Sequence, residues 1–203
     1  MLVRISLISF TLLTAAVASA DLSFSTFGPG DTYNTGIGWT ICTPASVLGF
    51  DSHMAQQFTS ATTGDVTAIS FASFLADGSG DVTLGLYADD GTDHVGAPLG
   101  TWNVVAAFNP AGILTTPIAP GIGISSGQKY WIGLVGANDS WLGWNWNDTG
   151  ATGLIQSNYL TSSGTFSDTL SGFRVETQAV PEPATMAALA FGAVGLLRRR
   201  KRA

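Results

Sequence analysis

Charged residues and cysteine are both scarce in this chain. Of its 203 residues only 11% are Asp, Glu, Lys or Arg, whereas soluble domains average about 25%. This low charge, together with 25 glycines, excludes a coiled coil, a helical bundle and a highly charged disordered tail. The single cysteine excludes a disulfide framework and a cysteine-rich metal site.

Basic residues are nearly absent from the middle of the chain. Five of the eight Lys and Arg residues stand together near the end, as Arg198, Arg199, Arg200, Lys201 and Arg202. Between residues 21 and 180 there are thirteen acids against two bases, Lys129 and Arg174, which gives that segment a formal charge of −11. Because nucleic-acid binding needs clustered Lys and Arg, the sequence predicts no nucleic-acid partner.

The first twenty residues have the parts of a secretory signal peptide. Arg4 precedes an apolar run over residues 5–17, and the small residues Ala18 and Ala20 follow it. Signal peptidase accepts small residues before its cut, so we predict cleavage after Ala20, with residues 1–20 removed. The alternative is a buried amphipathic helix. Cys42, the only cysteine, lies far downstream, so lipid attachment at the new terminus is not expected.

The last 24 residues combine a proline-containing motif, an apolar segment and a basic end. The motif consists of Val180, Pro181, Glu182 and Pro183, the uncharged segment covers residues 184–197, and the bases occupy residues 198–202. An apolar run that abuts Lys and Arg is a stop-transfer arrangement, in which the bases stay cytoplasmic and the preceding chain lies outside. The sequence therefore predicts contact with the membrane through this segment.

This ending resembles a PEP-CTERM protein-sorting signal, as found in Gram-negative bacteria that make exopolysaccharide. The resemblance implies that exosortase, an integral-membrane cysteine protease, recognises residues 180–183. It also implies that the basic residues 198–202 retain the tail until it is removed. A helix of fourteen residues spans roughly 21 Å, short of the roughly 30 Å hydrocarbon core, which suits a segment held briefly for a protease better than a permanent anchor. The alternative is a core helix of the soluble body.

The segment between these ends, residues 21–179, has the patterning of an all-β domain. Hydrophobic residues alternate with others over residues 81–88, 129–136 and 172–178, and further β-branched or aromatic runs cover residues 66–75 and 99–105. Turn-forming clusters rich in Gly, Asp, Asn and Ser separate these runs. Short strands with glycine-rich turns predict a single β-sandwich, jelly-roll-like in type. Residues 50–177 also resemble, loosely, the choice-of-anchor type of secreted β-sandwich, which implies surface display and names no activity.

Two patterns in the body are candidates for chemistry. Residues 123–127 match Gly-x-Ser-x-Gly, the nucleophile elbow of hydrolases, but that motif needs a following helix and a downstream histidine. His53 and His94 both precede it, so the sequence favours a turn and predicts no enzyme. The acids Asp77, Asp81, Asp89, Asp90 and Asp93 could supply calcium ligands from different loops, although Val82 occupies the position where an EF-hand needs glycine. Turn-forming aspartates are the favoured interpretation, and so is a loop role for His94 rather than metal binding. We predict no metal or cofactor, with calcium as the alternative.

Tryptophans at Trp141, Trp144 and Trp146 form the most suggestive cluster. Alternation places Trp144 and Trp146 on one face of a strand, where they either fill the core, the favoured interpretation, or stack on sugar rings. Trp141 is the expected exposed ring. Cys42 is expected to be buried rather than to form an intermolecular bond. Asn138 and Asn147 begin glycosylation sequons, which carry little weight in a bacterial protein.

These observations favour a non-enzymatic protein of the cell surface or extracellular matrix, structural or adhesive in an exopolysaccharide matrix. Signal peptidase and exosortase are the expected partners during export, and exopolysaccharide is a candidate partner afterwards. The expected location is the inner membrane transiently, then the surface or matrix of a Gram-negative bacterium. The alternatives are a carbohydrate-binding module, an ice-binding module, which the missing Thr-x-Thr ladder disfavours, and a secreted hydrolase.

Overall fold

The computed structural model describes residues 20–161 and 164–178, which contain β-strands and no α-helix. The predicted signal residues 1–19 and the predicted tail from residue 180 onward lie outside this part of the chain. The strands are β1 (Ala20–Ser25), β2 (Gly38–Cys42), β3 (Met54–Thr59), β4 (Gly64–Asp77), β5 (Asp81–Asp89), β6 (Val95–Val105), β7 (Gly112–Pro117), β8 (Gly123–Ile124), β9 (Lys129–Gly136), β10 (Trp141–Asn145), β11 (Thr152–Ser157), β12 (Thr165–Thr169) and β13 (Phe173–Gln178). Within the described residues, no helix is long and apolar enough to span a membrane.

The strands form two antiparallel sheets. One is seven-stranded, in the order β1-β13-β4-β10-β2, with β7 and β8 also paired to β4. The other is six-stranded, in the order β12-β11-β3-β9-β5-β6. Consecutive strands often belong to different sheets, so the chain passes repeatedly from one sheet to the other. The predicted β-sandwich is confirmed.

The core lies between the two sheets and follows the alternation in the sequence. In β5 the inward residues Val82, Leu84 and Leu86 are buried at 2% exposure or less, and β13 contributes Phe173 and Val175 at 0%. Side chains from both sheets join one apolar cluster. An antiparallel sheet with one buried face needs this period of two, so the pattern positions β5 and β13 relative to the core, whereas the middle of β4 is buried on both faces.

A buried polar contact joins the two sheets across this core. Gln56, in β3 of the six-stranded sheet, is fully buried and faces inward. Its Nε2 donates to Ser171 Oγ at 2.8 Å, and its Oε1 accepts the Ser171 backbone N–H at 2.7 Å. Ser171 Oγ in turn donates to the Trp144 carbonyl at 3.1 Å. The amide is thus satisfied by the opposite sheet, as a buried polar group requires.

A second, smaller apolar cluster covers the outer face of the six-stranded sheet. It contains Ala55, Tyr87, Trp131 and Tyr159, all 8% exposed or less. Tyr159 comes from the turn after β11, and its hydroxyl lies 3.2 Å from that of Tyr87. Burial raises the pKa of Tyr159 strongly, with a further contribution from Tyr87. The turn therefore packs on the sheet as a cover.

Both ends of the described chain leave the sandwich at one place. β13 lies between β1 and β4, and its last residue, Gln178, pairs with Ala20 on one side and with Asp65 on the other. We call the end of the sandwich at Ala20, Asp65 and Gln178 the exit pole. β4 runs from this pole to Asp77 at the far pole, a distance of roughly 40 Å at the usual strand rise.

Candidate functional site

The predicted sorting motif follows the exit pole directly in the sequence. Val180, Pro181, Glu182 and Pro183, the basic residues 198–202 and the signal residue Ala18 lie outside the described residues. Ala20, the predicted last residue of the signal peptide, is the first residue of β1. β13, which precedes the motif, is hydrogen-bonded on both edges, so the sandwich holds the chain firmly up to Gln178.

Trp144 fills the core and presents no surface for a ligand. Its ring is 0% exposed and lies 6.0 Å from that of Phe173. The inclusion of Trp144 among the glycan-binding candidates is therefore wrong, because a sugar cannot stack on a ring with no accessible face. The core interpretation of this residue is confirmed.

Trp146 belongs to an aromatic group that closes one side of the sandwich. It is half-buried, and its ring centroid lies 5.5 Å from that of Trp39 in β2. Trp39 also packs edge-on against Phe166 of β12 at 5.7 Å, and its Nε1 donates to the Thr169 carbonyl at 2.9 Å. Sequence reasoning missed Trp39 and Phe166, because their meeting depends on how the two sheets pack.

Trp141 is the remaining ring of the predicted cluster. It begins β10, where it pairs with Cys42 on one side and Asp77 on the other. Leu142 beside it points into the core, so Trp141 lies on the outer face of the seven-stranded sheet, half-buried. The structure therefore places Trp141 and Trp146 on opposite faces of this sheet and does not bring the three tryptophans into one platform.

The aspartates proposed as calcium ligands fall into two groups at opposite ends of β5. Asp77 and Asp81 lie at the far pole, where Asn138 Nδ2 donates to Asp81 Oδ2 at 2.6 Å. Asp89, Asp90 and Asp93 lie at the other end, separated from them by the length of the strand. No group of three or more acids, histidines or cysteines in the described residues is placed to hold a metal ion.

The second group forms an organised polar site, which we call the Asp89–Asp93 site. Asp89 Oδ2 accepts from Gln57 Nε2 at 2.8 Å and from Trp131 Nε1 at 2.9 Å. Asp93 Oδ1 accepts from Lys129 Nζ at 2.6 Å and from Gln57 Nε2 at 2.9 Å. Three neighbouring strands, β3, β5 and β9, and the loop after β5 thus supply these residues, and a surface cavity of about 500 Å³ adjoins them.

The charges of this site are set by these contacts. The hydrogen bond from Lys129, followed by that from Gln57, lowers the pKa of Asp93, and the same bond to Asp93 raises the pKa of Lys129. Asp90 makes a local turn in which it accepts the Thr92 backbone N–H at 2.7 Å, and this bond lowers its pKa. His94 lies in the same turn, with Nδ1 2.9 Å from the Thr92 carbonyl. These carboxylates are already used by protein donors.

The Gly-x-Ser-x-Gly pattern occupies a turn between two strands. Its serine, Ser125, follows β8, and β9 begins at Lys129, so the helix that a nucleophile elbow requires does not follow it. The Ser125 backbone N–H donates to the Tyr130 hydroxyl at 2.9 Å, and the Ser126 hydroxyl donates to the Ala61 carbonyl at 3.0 Å. The turn interpretation is confirmed.

Cys42 and the two sequons have structural explanations as well. Cys42 is 0% exposed, its Sγ donates to the Phe50 carbonyl at 3.3 Å, and burial followed by the charge of Asp51 raises the pKa of its thiol. Burial of this residue, as expected, is confirmed. Asn138 is exposed, whereas Asn147 is buried and its Nδ2 donates to the carbonyls of Ala151 and Leu170.

Comparison with known proteins identifies the tail. The family model of the PEP-CTERM protein-sorting motif matches residues 179–202, which confirms the resemblance found at residues 180–203. No curated protein matches the chain. The chain therefore carries a PEP-CTERM sorting motif directly after the last strand of its β-sandwich. Such a motif implies export, exosortase as the processing partner and transient membrane anchoring before processing.

Proposed function

We propose that this protein is a non-enzymatic component of the cell surface or extracellular matrix, delivered through its PEP-CTERM tail and removed from it by exosortase. The observation that carries the proposal is the match of the sorting motif to residues 179–202, which begin where β13 ends. The acidic β-sandwich is then the part that is delivered, and the sorting motif follows its last strand directly.

A structural role is supported by the positions and contacts of the residues that were candidates for catalysis. Ser125 lies in a strand-to-strand turn, and the hydrogen bonds of His94 stay within the loop at the other end of β5. Four of the candidate aspartates, Asp81, Asp89, Asp90 and Asp93, accept hydrogen bonds from Asn138, Gln57, a backbone N–H and Lys129 respectively. An acid–base mechanism needs a group free to exchange a proton with substrate, and the contacts of these aspartates support a structural role for them.

The sorting step is tested by replacing the motif. The triple variant Pro181→Ala, Glu182→Ala, Pro183→Ala keeps the apolar segment and the bases, so we expect export to the membrane without release. Fractionation of the producing cells, with detection of the body, measures this. Pro120→Ala, in a body loop, is the matched control and should be processed normally. Unchanged release of the triple variant, or unchanged delivery after deletion of residues 180–203, would contradict the proposal.

Polysaccharide binding is a second candidate function, and Trp141 is the residue that favours it. It lies half-buried on the outer face of the seven-stranded sheet. Sugar rings stack on an accessible indole through their C–H faces. Glycan-array binding of the exported protein and of its Trp141→Ala variant tests the idea, with Leu160→Ala as a control for loss of an exposed apolar side chain. Binding that the Trp141→Ala change abolishes supports it, whereas no binding to any polymer, the cell's own exopolysaccharide included, excludes it.

A further inference from the structure

The open edge of the six-stranded sheet is formed by β6, the longest edge strand of the sandwich. Within the described residues, β6 pairs along its length with β5 alone. The strand contains no charged residue, although the surrounding body is strongly acidic. Charges, prolines and bulges are the usual protection of such edges. Here Pro98 and two register irregularities protect only the first half of the strand.

The second half of β6 presents backbone groups that are ready to pair. The Ala106 N–H donates to the Gly80 carbonyl on the β5 side at 2.8 Å. Since bonding direction alternates along an antiparallel strand, Trp102 and Val104 also bond towards β5. The N–H and C=O groups of Thr101, Asn103 and Val105 therefore point to the open edge.

Other edges of the sandwich are better protected. β1 carries Asp21 and β12 carries Asp168. β2 is only five residues long, and Ser52 already pairs with its Cys42. β7 ends at Pro117, which has no N–H to donate. An uncharged edge is also the surface at which two copies of an acidic body approach with least repulsion.

The side chains of this segment are self-complementary about Trp102. Leu99 and Val105 are exposed apolar residues, at 37% and 56%, and the polar residues Thr101 and Asn103 lie between them. In a two-fold antiparallel pair centred on Trp102, Thr101 faces Asn103 of the second copy, and Leu99, at the irregularity that ends the regular segment, lies next to its Val105. Both apolar and both polar positions are therefore matched at the same register.

We propose that β6 is a homodimerisation edge, at which two copies of this chain join their six-stranded sheets into one continuous sheet. The register is set by the two-fold axis at Trp102, and the interface is isologous, since each copy offers the same strand. The backbone groups of Thr101, Asn103 and Val105 supply the hydrogen bonds, as in strand addition to an exposed sheet edge. This interaction is independent of the sorting function. It uses an edge of the six-stranded sheet, whereas the tail follows β13 of the seven-stranded sheet.

A charge-swap experiment tests both the edge and the register. Leu99→Lys with Val105→Lys places lysines next to each other twice in the predicted dimer, and Leu99→Glu with Val105→Glu does the same with carboxylates. Like charges directly opposite on adjacent strands are destabilising, so each double variant alone should weaken dimerisation by about tenfold or more. An equimolar mixture should recover the dimer, because each lysine then lies next to a glutamate.

The measurement is sedimentation velocity of the exported protein, purified from the producing cells, over a range from micromolar to millimolar. Val47→Lys with Leu160→Lys, which charges exposed apolar residues away from the edge, is the matched control and should dimerise like the wild type. Asn103→Pro is a second probe, since the lost N–H points to the open edge and is unused in the monomer. A wild type that stays monomeric, a mixture that stays monomeric, or a control that dissociates as readily as the edge variants would overturn the proposal.

Discussion

At the scale of single residues, the Asp89–Asp93 site shows how exposed charges are held in place. Lys129 and Asp93 are about half exposed, with their charged atoms 2.6 Å apart, and Gln57 bridges Asp93 to Asp89. An isolated surface ion pair contributes little, but here β3, β5, β9 and the loop after β5 each position one of the four members of a network. The site therefore connects the strands at the surface rather than offering free ligands.

The pH dependence of stability should report this network. Because the bond from Lys129 lowers the pKa of Asp93 in the folded protein, the folded state keeps the carboxylate ionised to lower pH than the unfolded chain does. Its contribution to the free energy of unfolding is thus present above the unfolded pKa of about 4 and is lost as pH falls through the lowered folded pKa. We expect Asp93→Asn to flatten this acid-side decline, measured by urea unfolding across a pH series. Asp77→Asn removes the same charge elsewhere and should keep the wild-type slope; an equal effect of both variants would contradict the interpretation.

Asn147 begins a glycosylation sequon, but its side chain has a structural role. Its Oδ1 accepts the backbone N–H groups of Thr149 and Ala151, and its Nδ2 donates to the carbonyls of Ala151 and Leu170. Because this buried amide satisfies backbone groups on both sides of a turn, we expect Asn147→Ala to lower the free energy of unfolding by about 2–4 kcal/mol.

The comparison variant for this prediction is Asn138→Gly. Asn138 starts the other sequon but is exposed, and its φ of 54° is one that glycine adopts without strain, so we expect a loss of about 1 kcal/mol or less. Urea denaturation of both variants measures the difference. The prediction fails if Asn147→Ala unfolds at the same urea concentration as Asn138→Gly.

At the scale of strands, the alternation of hydrophobic residues predicts the sheets well and the assembly of sites poorly. The inward residues of β5 and β13 follow from the sequence, because burial of one sheet face imposes a period of two. Alternation also puts Trp144 and Trp146 on one face, yet the Trp144 ring is fully buried and the half-buried Trp146 ring packs against Trp39, which in turn contacts Phe166. How deeply a side chain on the inward face is buried depends on how the opposite sheet packs over it. The sequence of a single strand does not determine that packing.

The separation of the aspartates has a similar cause. Asp81 and Asp89 are eight residues apart in sequence, which suggests a shared acidic region, but an extended strand places them roughly 26 Å apart. Turn residues at the two ends of one strand belong to opposite poles of a sandwich. The sequence predicts the turns, whereas the pole to which each turn belongs follows only once the strands are assigned.

The Gln56–Ser171 contact is the clearest test of how strands from the two sheets are joined. Gln56→Ala leaves the Ser171 N–H without its acceptor in a fully buried site, although Ser171 Oγ keeps its bond to the Trp144 carbonyl, so we expect a loss of about 2–4 kcal/mol in the free energy of unfolding. Gln128→Ala removes the amide of an exposed glutamine, where water solvates the side chain, and should cost about 0.5 kcal/mol or less. Chemical denaturation of the two variants measures these losses. Equal losses of unfolding free energy would show that the Gln56–Ser171 contact contributes no more than an exposed amide does.

At the scale of the whole molecule, the arrangement of the termini bears on export. The chain is acidic in its body and basic at its carboxyl end, and Ala20 and Gln178 are paired neighbours at the exit pole. A sorting tail that enters the membrane from β13 therefore brings this pole, rather than the far pole, towards the bilayer. An acidic body is repelled by anionic lipid, so we expect its surface to add little to the membrane contact made by the tail.

Cysteine labelling can measure this orientation, because the native Cys42 is buried and adds little background. Ser126→Cys probes the exit pole, where the Ser126 N–H donates to Thr63 Oγ1 at 2.9 Å, and Ser79→Cys probes the far pole beside Asp139. Both serines are exposed, so the two sites are matched in type. The chain is kept anchored by the Pro181→Ala, Glu182→Ala, Pro183→Ala substitutions, and spheroplasts are treated with a bulky membrane-impermeant maleimide. We expect the cysteine at position 126 to react several-fold more slowly than the one at position 79 while the chain is anchored, and at a similar rate once it is purified in detergent. Equal rates in the anchored state would mean that the body turns freely on its tail, and the exit pole would then have no preferred orientation towards the membrane.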